Sequence, residues 1–161
     1  MVDHLTIQMR GRGHTGSLPP SGLDGKFSVE YCAAAALLDG SVGIETFTDQ
    51  RRFSPDMEET LRKIRVEPGD QGSAVVKATA QLKNGSTVDA ECRGFRGSAA
   101  NPMRREERMD KILDCVRRVL SEQDTVRLLT LLEDLENVAD ISAITEILGQ
   151  KPPKGMRASR R

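Results

Sequence analysis

Few residues in this chain could do chemistry, and their spacing assembles no reaction centre. The histidines are His4 and His14. Neither has a metal-ligand or catalytic partner at recognisable spacing, so both read as structural residues. Cys32, Cys92 and Cys115 are odd in number and widely spaced, which is neither a disulfide framework nor a Cys-x-x-Cys zinc site. They read as three buried or half-buried thiols in a reducing, cytoplasmic compartment. The run Gly11-x-Gly13-x-x-Gly16 has the form of a dinucleotide fingerprint. However, Pro19-Pro20 stands where its helix would propagate, and the sequence shows no strand–helix–strand unit after it. Without a helix N-terminus there is no dipole to hold a pyrophosphate. Neither cofactor nor metal is expected. There is no Ser/His/Asp signal and no carboxylate pair beyond ordinary surface charge.

The single tyrosine, Tyr31, lies in the stretch around which the chain is organised, Lys26 to Gly40. Ser28 can cap a helix by accepting a hydrogen bond from an unpaired backbone N–H. Ala33 to Ala36 add helix propensity with little bulk, and Gly40 is a natural stop. This spacing predicts a short, central, buried helix that other backbone approaches on all sides.

Around it, period-two alternation over residues 3–10 predicts a half-buried strand with Leu5, Ile7 and Met9 on one face. Residues 11–25 read as loop and Ile44 to Phe47 as a helical turn. Ser54, Pro55 and the acids Asp56, Glu58 and Glu59 suit the start of a second helix, ending near Lys63. A strand begins at Ile64. Residues 74–93 alternate on both sides of Asn84-Gly85, which predicts a hairpin with a type I′ turn, one apolar face and one solvated charged face. Three helices follow, with apolar positions from Met109 to Leu120, Leu128 to Leu135 and Ile141 to Leu148. The fold class is α+β: a small sheet with an antiparallel hairpin packed on an Ala-rich helix, followed by C-terminal helices. Three regions are expected: 1–103, the α+β domain; 104–149, the C-terminal helices; 150–161, a basic, disordered tail.

A chain of 161 residues can bury roughly 70% of its unfolded surface, enough for a core. Lys plus Arg and Asp plus Glu balance at 24 each, so no global field favours nucleic acid or membrane. Absence of tryptophan argues against stacking platforms for single strands. No apolar run approaches the roughly 20 residues of a membrane helix. The N-terminus does not read as a signal peptide.

Phe27-Ser-Val-Glu-Tyr31, then Ala33-Ala-Ala-Ala-Leu-Leu-Asp-Gly40 and Gly43-Ile-Glu-Thr-Phe47, resembles the start of the C-terminal domain of the MmgE/PrpD family. Ile64-Arg-Val-Glu67, the Leu82-Lys-Asn-Gly85 turn and Arg96-Gly-Ser-Ala-Ala-Asn-Pro102 keep that family's order and spacing. The resemblance covers roughly residues 1–148. It implies a 2-methylcitrate dehydratase-like, metal-independent lyase or isomerase that acts on small polycarboxylates by acid–base chemistry. It also implies that Tyr31 lines the cleft between two domains, as a catalytic residue, and that Lys26 attracts the substrate's carboxylates. The family's larger helical domain, with its histidines, aspartate and lysine, has no counterpart in this sequence, and neither does its Pro-Tyr-Pro segment. The chain is therefore expected to be the C-terminal part of such an enzyme, inactive alone. Its partner would be a second copy or a separate N-terminal helical subunit, docked on an uncovered apolar stripe between Asp124 and Leu148. The alternative is a non-catalytic α+β interaction module.

Overall fold

The computed structural model describes residues 1–11 and 18–150. His14, Gly13, Gly16 and the basic tail from Lys151 lie outside the described residues. The chain divides into two compact units, one over residues 1–103 and one beginning at Arg104.

In the first unit, β1 (Val2–Met9) is one of two inner strands of a four-stranded sheet. Its alternation turns Leu5 and Ile7 into the core, both buried, and His4, Thr6 and Gln8 to the opposite face. On one side β1 pairs in parallel with β2 (Ile64–Pro68), Leu5 opposite Ile64 and Ile7 opposite Val66. On the other it pairs antiparallel with β3 (Val76–Leu82), which pairs antiparallel with β4 (Thr87–Cys92). The strand order is β2-β1-β3-β4.

A parallel pair needs a crossover. It is supplied by α1 (Val29–Asp39), α2 (Asp49–Arg52) and α3 (Pro55–Leu61). A strand–helix–strand unit therefore does exist, contrary to the reading of the sequence. Its first helix opens at Val29, beyond a 3-10 turn over Asp24–Phe27, so it does not spring from the glycine run.

α1 is capped as its sequence predicts. The Tyr31 N–H donates to Ser28 Oγ at 3.1 Å, and the helix ends at Gly40 with φ 71°. Tyr31, Ala34 and Ala35, spaced i, i+3, i+4, form the buried face, packed with Met57 and Leu61 of α3 and Ile64 and Val66 of β2. Truncating Met57 or Leu61 in such a core costs about 2–5 kcal/mol. The helix is not covered on all sides. Ala36, Leu37 and Leu38 are exposed, because the sheet and α3 lie against one face only.

Three further expectations are corrected. The hairpin turn is not type I′. The Gly85 N–H donates to the Leu82 carbonyl at 2.8 Å, and Leu82 N–H to the Ser86 carbonyl at 2.8 Å. Gly85 carries a positive φ of 83° and Asn84 does not, so a three-residue loop closes through a type I turn and a glycine bulge. Asn84 Oδ1 accepts from the Ser86 N–H at 3.0 Å, which fixes this alternative. β4 alternates in sequence, but all six of its residues are exposed, because it is an edge strand and nothing described covers Val88, Ala90 or Cys92. Its polar face is held as expected: Thr79 donates to Asp89 at 2.6 Å, and Lys77 and Arg93 flank Glu91. Finally, Cys92 and Cys115 are exposed; Cys32 is half-buried.

The second unit contains α4 (Arg105–Val116), α5 (Glu122–Glu133) and α6 (Ser142–Leu148), with a 3-10 turn over Leu135–Asn137. Ser121 caps α5, accepting from the Asp124 N–H at 3.1 Å. Leu120, Leu128, Ile144 and Ile147 form a small core flanked by Val116, Leu131 and Val138. Arg105 at the start of α4 holds Glu133 at the end of α5 through two bonds, at 2.9 and 2.6 Å. No helix of the structure, among the described residues, is long and apolar enough to cross a membrane.

Candidate functional site

Residues 18–58 carry the two side chains that the sequence singles out. The Ser28 cap sets the first turn of α1, and the turn aims Tyr31 into the core, where its side chain is 0% exposed. Its hydroxyl donates to the Thr46 carbonyl at 2.5 Å. Its ring lies against backbone at Gly25, where an added methyl would sit 2.4 Å from Cδ1. The Phe47 ring is 6.3 Å from that of Tyr31, centroid to centroid, tilted by 46°. Lys26 is exposed, and its Nζ lies 5.6 Å from the centroid of the same Phe47 ring, within cation–π range. Lys26 and Tyr31 are thus brought to one aromatic side chain, the first from solvent and the second from the core.

Burial pushes the Tyr31 phenol above its ordinary pKa, since a phenolate would be stripped of water; the positive charges of Arg51 and Arg52 oppose this. The Cys32 thiol is likewise raised by burial, and its sulfur faces the Gly25 carbonyl at 3.6 Å.

Sequence reasoning missed the residues that hold this region together. α2 is a single turn, too short to show a period, and it carries Arg51 and Arg52. Arg51 grips Asp39 with two bonds, 2.8 and 2.9 Å, and reaches Asp56 at 3.0 Å and Ser54 Oγ at 2.6 Å. Ser54, expected to cap α3, instead donates its hydroxyl to the Arg51 carbonyl at 2.8 Å. Its hydroxyl and Arg51 together hold the Asp56 carboxyl below the usual range. Arg52 is buried at 3% exposure; Nε donates to the Pro19 carbonyl at 2.7 Å and Nη1 pairs with Glu58. The Gly22 N–H donates to Asp49 Oδ1 at 2.8 Å. These contacts fasten residues 19–25 onto α2. No period or motif marks these two, because Pro19 and Gly22 lie 33 and 27 positions from their partners.

Among the described residues no metal-ligating cluster of three or more His, Cys, Asp or Glu stands around them. The described histidine, His4, sits on the sheet face turned away from α1. Shallow depressions lie elsewhere. One is lined by Asp3, Gln81, Leu82, Lys83, Gly85 and Thr87, the other by Ser121, Glu122, Gln123 and Val126.

The model of the MmgE/PrpD C-terminal domain matches residues 2–137. The chain belongs to the MmgE/PrpD family. Cis-aconitate decarboxylase of Mus musculus is 28% identical over 135 residues, which is 81% of this chain and 28% of that protein. Cis-aconitate decarboxylase of Homo sapiens is 28% identical over 142 residues, 84% of this chain and 30% of that protein. The chain spans under a third of the length of these curated relatives. All the segments on which the resemblance rests, from Phe27 to Pro102, fall inside the matched MmgE/PrpD region.

Proposed function

We propose that this chain is the C-terminal part of a metal-independent MmgE/PrpD lyase that acts on a small polycarboxylate by acid–base chemistry, and that it is inactive alone. In the complete enzyme it forms one wall of the cleft. A second chain, either another copy or a separate helical subunit, supplies the groups that take and give protons. Cis-aconitate is the first substrate to test, because the curated relatives bear that name. The compartment that suits three unpaired thiols is the cytoplasm.

One observation supports this reading: Lys26 and Tyr31 meet at Phe47, while the described histidine, His4, lies on the far face of the sheet. General acid–base catalysis needs donor and acceptor within hydrogen-bond reach of one another through the substrate. Lys26, exposed, can draw in a carboxylate. Tyr31 contributes a proton donor only when the Thr46 carbonyl gives up its hydroxyl; until then it orients the loop that carries Phe47.

The same bond favours the second reading, a catalytically silent interaction module, because a phenol committed to backbone is positioning structure. Incubation with cis-aconitate or 2-methylcitrate, followed by ultraviolet absorbance of the conjugated acid, separates the two. The chain alone is expected to give no turnover. Mixing it with the helical portion of a MmgE/PrpD protein is expected to give turnover that a chelator does not abolish. Turnover by the chain alone, or a chelator-sensitive mixture, contradicts the first reading; a silent mixture whose two chains bind supports the second.

A further inference from the structure

Residues 19–25 cross over Tyr31 and meet the rest of the unit at every third position. Pro19, Gly22 and Gly25 are buried, while Pro20, Leu23 and Asp24 are exposed. The Gly25 backbone lies on the Tyr31 ring: a methyl there would sit 2.4 Å from Cδ1 and 2.6 Å from Cε1. Three residues earlier, Gly22 lies as closely on the backbone of Thr48. Thr46, whose carbonyl accepts the Tyr31 hydroxyl, is two residues before Thr48. The segment therefore runs from the phenol ring to the backbone just beyond the carbonyl that the phenol bonds.

Its attachment is polar. Two of its three buried positions have no side chain, and its one leucine, Leu23, is 60% exposed. It is held by Arg52 Nε on the Pro19 carbonyl at 2.7 Å and by the Gly22 N–H on Asp49 Oδ1 at 2.8 Å. The Cys32 sulfur faces the Gly25 carbonyl at 3.6 Å. Beneath it, α1 is fixed by a continuous apolar core of Ala34, Ala35, Met57, Leu61, Ile64 and Val66. A segment with few buried apolar contacts opens at a lower free energy than the core that it covers. Its internal bonds, Gly25 N–H to the Gly22 carbonyl at 3.1 Å and Ser21 Oγ to Asp24 Oδ2 at 2.6 Å, let it move as one piece.

We infer that residues 19–25 are a strap that closes over Tyr31 and Cys32 and opens while the unit beneath stays folded. Opening of the strap, not a change in α1, brings the phenol to solvent and to a substrate. The inference deepens the reading of Tyr31 as a cleft residue. Its test reads the accessibility of the phenol rather than turnover, so the two succeed or fail separately.

The test uses the full chain. Tyr31 is the only tyrosine and there is no tryptophan, so acrylamide quenching of fluorescence reports this one ring. Iodoacetamide labelling mapped by mass spectrometry reports Cys32 against the exposed Cys92 and Cys115. In the parent the ring is expected to be quenched weakly and Cys32 to label more slowly than the other two. Asp49→Ala, at an exposed position, removes the acceptor of the Gly22 N–H. Gly25→Ala wedges the strap off the ring. Loss of a hydrogen bond to a charged group shifts an opening equilibrium about tenfold or more. Each variant is expected to raise quenching towards that of a free tyrosine derivative and to speed Cys32 labelling to match, with Cys92, Cys115 and circular dichroism unchanged. Val66→Ala, which weakens the core on the sheet side, is expected to lower the melting midpoint and leave quenching and labelling as in the parent. Unchanged quenching and labelling in both strap variants overturn the strap. An equal rise in Val66→Ala also overturns it, because the ring would then open with the core. A rise that accompanies lost ellipticity in both strap variants overturns it for the same reason. A strap that opens in a chain that stays silent with its helical partner upholds this inference and removes the lyase reading.

Discussion

The hydroxyl of Tyr31 donates to the carbonyl of Thr46 at 2.5 Å, joining the first turn of α1 to the loop that precedes α2 inside the core. Tyr31→Phe keeps the ring and leaves a buried carbonyl without its donor. That omission costs about 1–3 kcal/mol. Thermal denaturation followed by circular dichroism is expected to show a lowered midpoint with a native baseline. An unchanged midpoint would show that the bond does not persist in solution.

Tyr31 is the only tyrosine and there is no tryptophan, so absorbance near 295 nm reports this one phenol. Its pKa is raised in the folded chain, chiefly by burial. The neutral form is therefore the one that folding favours. The associated stability is fully present below the unfolded value of about 10 and is lost as pH rises through the folded value. Titration is expected to show no phenolate until the protein unfolds at alkaline pH, with absorbance and ellipticity changing together. Ionisation near the ordinary value, with ellipticity constant, would contradict the buried position.

Arg52 ties the Pro19 carbonyl to Glu58 from inside the unit. Arg52→Met removes the cation and leaves the carbonyl and the carboxylate unpaired. Because Glu58 keeps contact with solvent, the loss is smaller than the 3–5 kcal/mol of a fully buried pair, about 2 kcal/mol. Urea denaturation is expected to move to a lower midpoint with an unchanged slope.

Gly22 sits where backbone meets backbone. A methyl there would lie 2.3 Å from the Thr48 carbonyl carbon, and no side chain can move aside to relieve it. Gly22→Ala is expected to cost about 1–3 kcal/mol, read in the same urea experiment, and to increase protease cutting near residues 18–25. An alanine variant as stable as the parent would show that this segment is not seated on α2.

Thr125 on α5 is buried, and its Oγ1 has no hydrogen-bond partner among the described residues. Thr125→Val keeps the shape and removes the orphaned hydroxyl, so it is expected to stabilise the second unit by about 1 kcal/mol. A fall in the melting midpoint would reveal a partner for that hydroxyl.

What the sequence determined by itself is what short-range physics writes. Ser28 and Gly40 bracket α1 because a cap and a stop act within one turn of the helix they bound. The alternation of Leu5 and Ile7, and of Val76, Ala78 and Ala80, marks strands because side chains of a strand point to alternate faces. The ordered segments from Phe27 to Pro102 carried the family. The tertiary structure decided the rest, because those contacts join residues whose separation no local pattern encodes. β1 pairs in parallel with β2 across some sixty residues. Arg52 reaches Pro19 over 33 positions, and Tyr31 reaches Thr46 over 15. β4 alternates like a covered strand, yet it lies at the sheet edge with neither face packed. A phenol in a first helical turn can face solvent or core with equal local ease; only the packing of α1 on α3 and β2 turned this one inward.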